Sequence, residues 1–197
     1  MGNNIAAILL AAGLSSRMGR PKLLLPWGAT TVLGQVVSTF ALAGMEKIIV
    51  VTGGARKQIE GLVAELAKDF PVRAVYNPQY SHGEMLSSIQ AGLAALDSQT
   101  RAALIGLGDQ PQVREETVRL ICAAFVQVKS PLVIPRFQNR RGHPWLAARP
   151  LWPKILALTA PTTPRQYLNT YTGQVEYVAA DQSILQDLDT PEDYARQ

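Results

Sequence analysis

The chain has 197 residues, enough for one α/β domain with a full hydrophobic core, and its 47% hydrophobic and 17% charged residues exclude a disordered chain. A formal net charge of +4 suits an anionic ligand, but the Lys and Arg residues are scattered and make no dense stripe, which argues against nucleic acid as a partner. Cys122 is the only cysteine, so an intrachain disulfide is excluded and a reducing, cytoplasmic setting is expected. Residues 1–10 lack the basic region and cleavage site of a signal peptide, and no apolar run reaches the ~18 residues of a membrane span.

In chain order, the apolar run 5–10 predicts a buried strand that opens into Gly13 and Ser15-Ser16. Thr30 or Thr31 caps a helix whose apolar face is Val32, Leu33, Val36, Val37 and Phe40, ended by Gly44. A second strand, 47–52, stops at Gly53-Gly54, and Ile59, Leu62, Val63 and Leu66 mark the next helix. A third strand, 72–76, stops at Asn77-Pro78. Met85, Ile89 and Leu93 then share a helix face beside Leu86 and Leu96, with Met85 and Ile89 expected in the core and His82 on the surface. A fourth strand, 102–107, enters Gly108-Asp109-Gln110-Pro111, and Val113, Thr117, Ile121 and Phe125 line the following helix. The fifth strand is 132–134.

Strands and helices alternate at short spacing through these units. That pattern predicts a single-domain α/β fold, doubly wound on a mostly parallel, Rossmann-like sheet. Ligands of such sheets bind at the carboxyl ends of the strands, so the loops after Leu10, Tyr76 and Leu107 are expected to meet at one rim. After residue 134 the alternation weakens. A strand over 143–147, helices over 150–158 and 165–170, a strand over 175–179, and a helix capped by Thr190 with Asp193 as its capping-box acid are expected. The chain divides by expectation into a main α/β part (1–134), a small inserted part (135–180) and a C-terminal segment with a helix (181–197).

The most informative stretch runs from Leu10 to Lys22 through Ala11, Ala12, Gly13, Ser15, Ser16, Arg17 and Arg20. It follows a strand, is rich in small residues and carries three cations. Successive exposed N–H groups in such a loop make an anion nest. Arg17 can grip phosphate oxygens in two places, and Lys22 adds a mobile point charge. The spacing matches neither a Walker A loop nor a dinucleotide fingerprint, which disfavours a P-loop kinase and a Rossmann dehydrogenase. Taken alone, a basic Gly/Ser loop is more often an exposed turn; its place after the first buried strand shifts the balance.

This stretch resembles the nucleotidylyltransferase signature Leu-Ala-Ala-Gly-x-Ser-x-Arg-Met-Gly-x-x-Lys, and is most similar to the molybdenum cofactor cytidylyltransferase branch. The resemblance continues in order through Gly83-Glu84-Met85-Leu86-Ser87-Ser88-Ile89, Gly108-Asp109-Gln110-Pro111, Arg141-Gly142-His143-Pro144 and Asp187-Leu188-Asp189-Thr190-Pro191-Glu192-Asp193-Tyr194. It implies that Leu10, Ala11, Ala12, Gly13, Ser15, Arg17 and Lys22 hold the nucleotide, with Arg17, Lys22 and Asp109 in catalytic roles.

On residue type alone, Asp109 reads equally as a turn aspartate and as a carboxylate reaching Mg²⁺ on a triphosphate. The resemblance implies the metal role, with Asp189 as the second ligand and Asp187 holding the local turn. An extended 187–189 segment would point the two acids to opposite faces; the competing role for Asp189 is an auxiliary helix cap beside Thr190. Ser87 and Ser88 fall in a first helical turn, where hydroxyls and N–H groups either meet a ligand or simply close the helix end. The resemblance places them on the base side. Arg140, Arg141 and His143 share one basic loop, which is either solvated or suited to a phosphorylated acceptor. The family pattern favours the acceptor for Arg141 and His143.

One departure stands out. Where the family often has Gly-Asp-x-Gly-Ala-Arg, this chain has Ala160-Pro161-Thr162-Thr163-Pro164-Arg165. The arginine, a third acceptor-side candidate, is kept, while the glycines are replaced and two prolines fix φ. Ala12 stands where guanylyl-transferring relatives carry glycine, which suggests CTP. The implied reaction joins CMP to the phosphate of molybdopterin or another phosphorylated small molecule, with a molybdenum hydroxylase apo-enzyme as the downstream partner. The competing readings are a sugar- or polyol-phosphate nucleotidylyltransferase, a non-catalytic cofactor-binding accessory protein, and, ranked lowest for want of a nicotinamide or flavin fingerprint, an oxidoreductase.

Overall fold

A computed structural model describes residues 4–13, 21–82, 84–171, 173–188 and 190–195. The first strand, β1 (Ile5–Ala11), lies inside an eight-stranded sheet and is flanked on both sides by parallel partners. Its seven apolar residues therefore split by alternation. Ile5, Ala7, Leu9 and Ala11 enter one hydrophobic core, and Ala6 and Ile8 enter the other.

Beyond β1 come a two-residue hairpin, β2 (Pro26–Trp27) and β3 (Thr30–Thr31), and then α1 (Val32–Leu42), β4 (Ile48–Thr52), α2 (Arg56–Leu66), β5 (Val72–Tyr76), α3 (Glu84–Ala94), β6 (Ala102–Leu107) and α4 (Glu115–Val128). Thr31 caps α1 by accepting from the N–H of Gly34 at 3.0 Å, as its position before an apolar helix predicts. The later part holds β7 (Leu132–Phe137), β8 (Arg140–Arg141), β9 (Trp145–Ala148), α5 (Trp152–Leu156), α6 (Pro164–Thr170), β10 (Val175–Ala179) and α7 (Pro191–Ala195).

The strand order is β10-β7-β9-β6-β1-β4-β5, with β8 hydrogen-bonded to β7. Strands β1, β4, β5 and β6 are mutually parallel, and β10 is parallel to β7. Strand β9 runs antiparallel to both β6 and β7, which sets β7 in the same sense as β6. The mostly parallel sheet expected from the sequence is thus present, with helices on both faces. Side chains of α1, α2 and α4 build one core, and those of α3 and α5 build the other, with Tyr167 and Leu168 of α6 packed against it.

Several expectations need adjustment. Met85 is 39% exposed and not part of the core; the buried face of α3 is carried by Leu86, Ile89 and Leu93, followed by Leu96 just beyond the helix. The helix expected over 150–158 is shorter, because Arg149–Leu151 forms a separate 3-10 turn before α5. The basic loop around Arg140 contains β8, joined to β7 by a tight turn in which Gln138 and Asn139 adopt φ of 45° and 65°. Positive φ at both central positions marks a hairpin whose twist matches its strands, and Asn tolerates it well.

The chain moves from β1 to β4 on one side and returns to β6 on the other. The order of the sheet therefore reverses between β1 and β6. The carboxyl ends of strands at such a reversal are the place where open α/β sheets take ligands.

Candidate active site

Four segments meet at this rim. The N–H of Gly108, after β6, donates to the carbonyl of Leu10 in β1 at 2.9 Å. The N–H of Gly54, after β4, donates to the carbonyl of Ala12 at 3.2 Å, and that of Asn77, after β5, to the carbonyl of Thr52 at 2.9 Å. Gly53 is needed here for room: a Cβ on it would lie 2.5 Å from the Ala12 carbonyl oxygen and 2.7 Å from the Tyr80 Cβ. The methyl of Ala12 faces the same spot and is buried. Strand ends β1, β4, β5 and β6 are thus tied into one edge, as expected for the loops after Leu10, Tyr76 and Leu107.

Lys22 opens a 3-10 turn, Lys22–Leu24, anchored by the buried Leu23 and Leu25. Its Nζ lies 2.5 Å from an Asp109 carboxylate oxygen, with both side chains largely shielded from solvent. The two residues come from opposite sides of the switch in strand order. The pairing brings the principal cation and the principal acid of the sequence analysis to one point. Arg17, Ser15 and Asp189 lie outside the described residues.

The C-terminal segment closes on the same turn. The N–H of Leu188 donates to the carbonyl of Asp109 at 3.3 Å, and Leu188 is itself buried. Gln110 Nε2 donates to Asp187 Oδ1 at 2.6 Å. This bond ties Asp187 to the residue after Asp109, through a partner that the sequence did not single out.

Ser87 and Ser88 sit in the first turns of α3 and are buried. Both hydroxyls accept from Asn77 Nδ2, at 2.8 and 3.1 Å, while Asn77 Oδ1 accepts from the N–H of Gln79. Asn77 was read from sequence only as a strand stop. Its side chain is the post on which the middle loop and the start of α3 are hung.

Of the residues expected on the acceptor side, Arg141 is fully engaged. Its guanidinium donates to the Leu168 carbonyl and Asn169 Oδ1 in α6, and to the Tyr177 hydroxyl in β10 at 2.7 Å. His143 lies beyond it, and its N–H donates to the Ile184 carbonyl at 3.1 Å. Burial pushes the His143 imidazole down to about 4, so it is neutral at physiological pH and can offer a hydrogen bond but no charge. Arg165 is exposed on α6, and no hydrogen bond or ion pair among the described residues joins it to the other candidates. The departing stretch before it builds the helix start. Thr163 and Gln166 form a reciprocal capping box with Pro164 in the first turn.

Among the described residues, no three His, Cys, Asp or Glu side chains converge as a metal cage. Mg²⁺ does not need one. It is usually held by one or two carboxylates together with substrate phosphates and water. Asp109, at a strand-end rim beside a lysine, fits that kind of ion.

A strand-end rim of a mostly parallel sheet, with a lysine and a carboxylate at one point, is the arrangement of a nucleotide-handling α/β protein. The family model of the MobA-like NTP transferase domain matches residues 7–175, and the chain belongs to that nucleotidyltransferase family. It is 30% identical over 193 residues to the molybdenum cofactor cytidylyltransferase of Escherichia coli (strain K12), covering 96% of this chain and 93% of that one. It is 31% identical over 205 residues to the nicotine blue oxidoreductase of Paenarthrobacter nicotinovorans, covering 98% and 95%. Among solved structures, that of Rv0371c from Mycobacterium tuberculosis H37Rv superposes with a TM-score of 0.82 at 29% identity, covering 98% of this chain and 96% of that one. Rv0371c has also been crystallised in complex with manganese, and that structure gives a TM-score of 0.79. No described helix is long and apolar enough to cross a membrane.

Proposed function

We propose that this chain transfers CMP from CTP to the phosphate of molybdopterin, forming the cytosine dinucleotide and releasing pyrophosphate. The observation that carries the reading is the 2.5 Å meeting of Lys22 and Asp109 at the switch in strand order. The similarity to the E. coli cytidylyltransferase over nearly the whole of both chains supports the substrates.

The acceptor's phosphate oxygen attacks the α-phosphorus, and pyrophosphate leaves in line. A phosphate monoester has a second pKa of ~6, so the nucleophile is mostly ionised at neutral pH and no general base is required. The difficulty lies in bringing two anions together, so positioning and charge neutralisation carry the catalysis. The N–H groups over 10–13, Ser15 and Arg17 cradle the β- and γ-phosphates. Lys22 turns its point charge from Asp109 to the α-phosphoryl group. Asp109, with Asp189, would hold Mg²⁺, which when bound neutralises phosphate charge and polarises the reacting phosphoryl group. Ser87 and Ser88, fixed by Asn77, shape the base side. Arg141, His143 and Arg165 belong to the acceptor side; His143 acts there as a neutral hydrogen-bonding group, with the cationic contribution left to the arginines.

The test is mass spectrometry of the product from CTP, Mg²⁺ and molybdopterin, alongside pyrophosphate release. A cytidylylated pterin is expected; turnover only with a sugar or polyol phosphate would replace the acceptor. Base choice is read by thermal shift. A ligand that binds only the folded state at 100 times its Kd adds ~2.7 kcal/mol of stability. CTP with Mg²⁺ is expected to raise the melting temperature more than GTP, and the reverse order overturns the assignment. The similarity to nicotine blue oxidoreductase favours a second reading, redox chemistry on the same scaffold. Consumption of a reduced nicotinamide cofactor without pyrophosphate release would select it.

A further inference from the structure

We propose that Gln110 is a positioning residue for the metal site: it locks the acidic C-terminal segment against the Asp109 turn. The proposal rests on the nucleotidyl-transfer reading above and adds to it a residue that never touches the substrate. Gln110 is 3% exposed, follows Asp109 directly, and spends both amide protons across the loop gap. One goes to Asp187 Oδ1 at 2.6 Å, the other to the Ile184 carbonyl at 3.4 Å.

The other half of the amide shows what Gln110 is for. Its Oε1 is buried and has no hydrogen-bond partner among the described residues. A buried unpaired carbonyl costs stability, and a leucine of similar volume would fill the space without that cost. What the amide does use are its donors. Those donors reach the segment that runs through Leu188, whose N–H binds the Asp109 carbonyl, into Asp189.

The Ile184 carbonyl widens the device. It accepts from Gln110 Nε2 and from the N–H of His143. Gly142 is packed so closely beside it that a Cβ there would stand 2.3 Å from that oxygen. The metal turn and the acceptor loop are therefore referenced to one backbone atom. Partners that orient metal ligands from outside typically change metal affinity 10–100-fold when altered.

The test exchanges the polarity of the bond. Gln110→Glu sets two carboxylates against each other; Gln110→Glu with Asp187→Asn restores a hydrogen bond with the donor on the other side and the same net charge. Mn²⁺ binding is measured by electron paramagnetic resonance with a non-hydrolysable CTP analogue, alongside melting temperature and pyrophosphate release. Gln110→Glu is expected to weaken Mn²⁺ binding about tenfold or more, and the double variant to return it to within about threefold of the parent. If Gln110→Glu does not fold, Gln110→Leu makes the same comparison, since it keeps the volume and removes the donors. Either single variant lowering the melting temperature while leaving Mn²⁺ affinity unchanged overturns the proposal. So does an Asp187→Asn variant that loses Mn²⁺ as fully as Asp109→Asn, because Asp187 would then itself be the ligand. A parent protein that binds Mn²⁺ with the analogue but releases no pyrophosphate counts against the proposed reaction and leaves this role standing.

Discussion

Lys22 and Asp109 hold each other in a partly shielded pair, with 15% and 18% of their side-chain surfaces exposed. Charges arranged in advance at a reacting centre are worth more than the same charges in water, and losing one such group typically costs ~10²-fold in rate. Lys22→Ala and Asp109→Ala are each expected to lower CTP turnover by about that factor while far-UV circular dichroism stays unchanged; near-normal turnover in either would remove that residue from the mechanism. His143 yields a pH prediction. Its folded-state value, about 4, lies below the usual histidine value of 6.5. Between these limits the unfolded chain binds more protons, so stability is full above pH 6.5 and falls as pH drops toward 4. The melting temperature is expected to decline across that window, and His143→Gln to flatten the decline. At this scale Lys22 and Asp109 were legible as candidates through the ordered motifs of the family resemblance, since residue type alone left Asp109 open between a turn and a metal role. Gln110 and Asn77 were not, because a neutral amide in a turn reads as turn chemistry until its partners are known.

At the scale of elements, helix α3 shows where pattern reading slips. Met85 and Leu86 both lie within reach of the face defined by Ile89 and Leu93. Helical spacing alone cannot choose between neighbours on the border of an apolar stripe, and packing chose Leu86. The start of α3 depends on one side chain. Asn77→Ala would remove the donor that two buried serine hydroxyls share, at a cost of about 1–3 kcal/mol. A lower melting temperature and a raised KM for CTP are expected together; an unchanged KM would detach Ser87 and Ser88 from the nucleotide. Helix α6 is the contrasting case. Its capping box was hidden in a stretch that stood out only as a departure from the family pattern. Thr163→Ala is expected to cost ~1 kcal/mol, read by chemical denaturation, with little effect on CTP binding.

At the scale of the molecule, the β-α alternation up to β6 was plain from periodicity, because each strand buried on both faces is a short continuous apolar run. The placing of β9 was not. A four-residue segment, Trp145–Ala148, carries no mark of which two strands it will separate. That depends on pairings distant in sequence, which local patterns do not encode. The C-terminal segment is equally non-local: Ile184 and Leu188 are each 1% exposed, so the stretch 184–188 is anchored in the core. Truncation after residue 180 removes both. It is expected to destabilise the protein by about the 2–5 kcal/mol typical of each large-to-small core change, or to prevent folding, as read by denaturant titration.

The wedge position of β9 has a consequence for synthesis on the ribosome. Strands emerge from the exit tunnel in numerical order, yet β7 cannot reach its place until β9 has been made to fill the gap beside β6. A nascent chain released as far as β7 holds the strands β6-β1-β4-β5 with β6 as a naked border and β7 still without a partner, the kind of edge that recruits foreign strands. The few residues from Trp145 to Ala148 act as a keystone, and their arrival covers the border of β6 and gives β7 its place in the sheet.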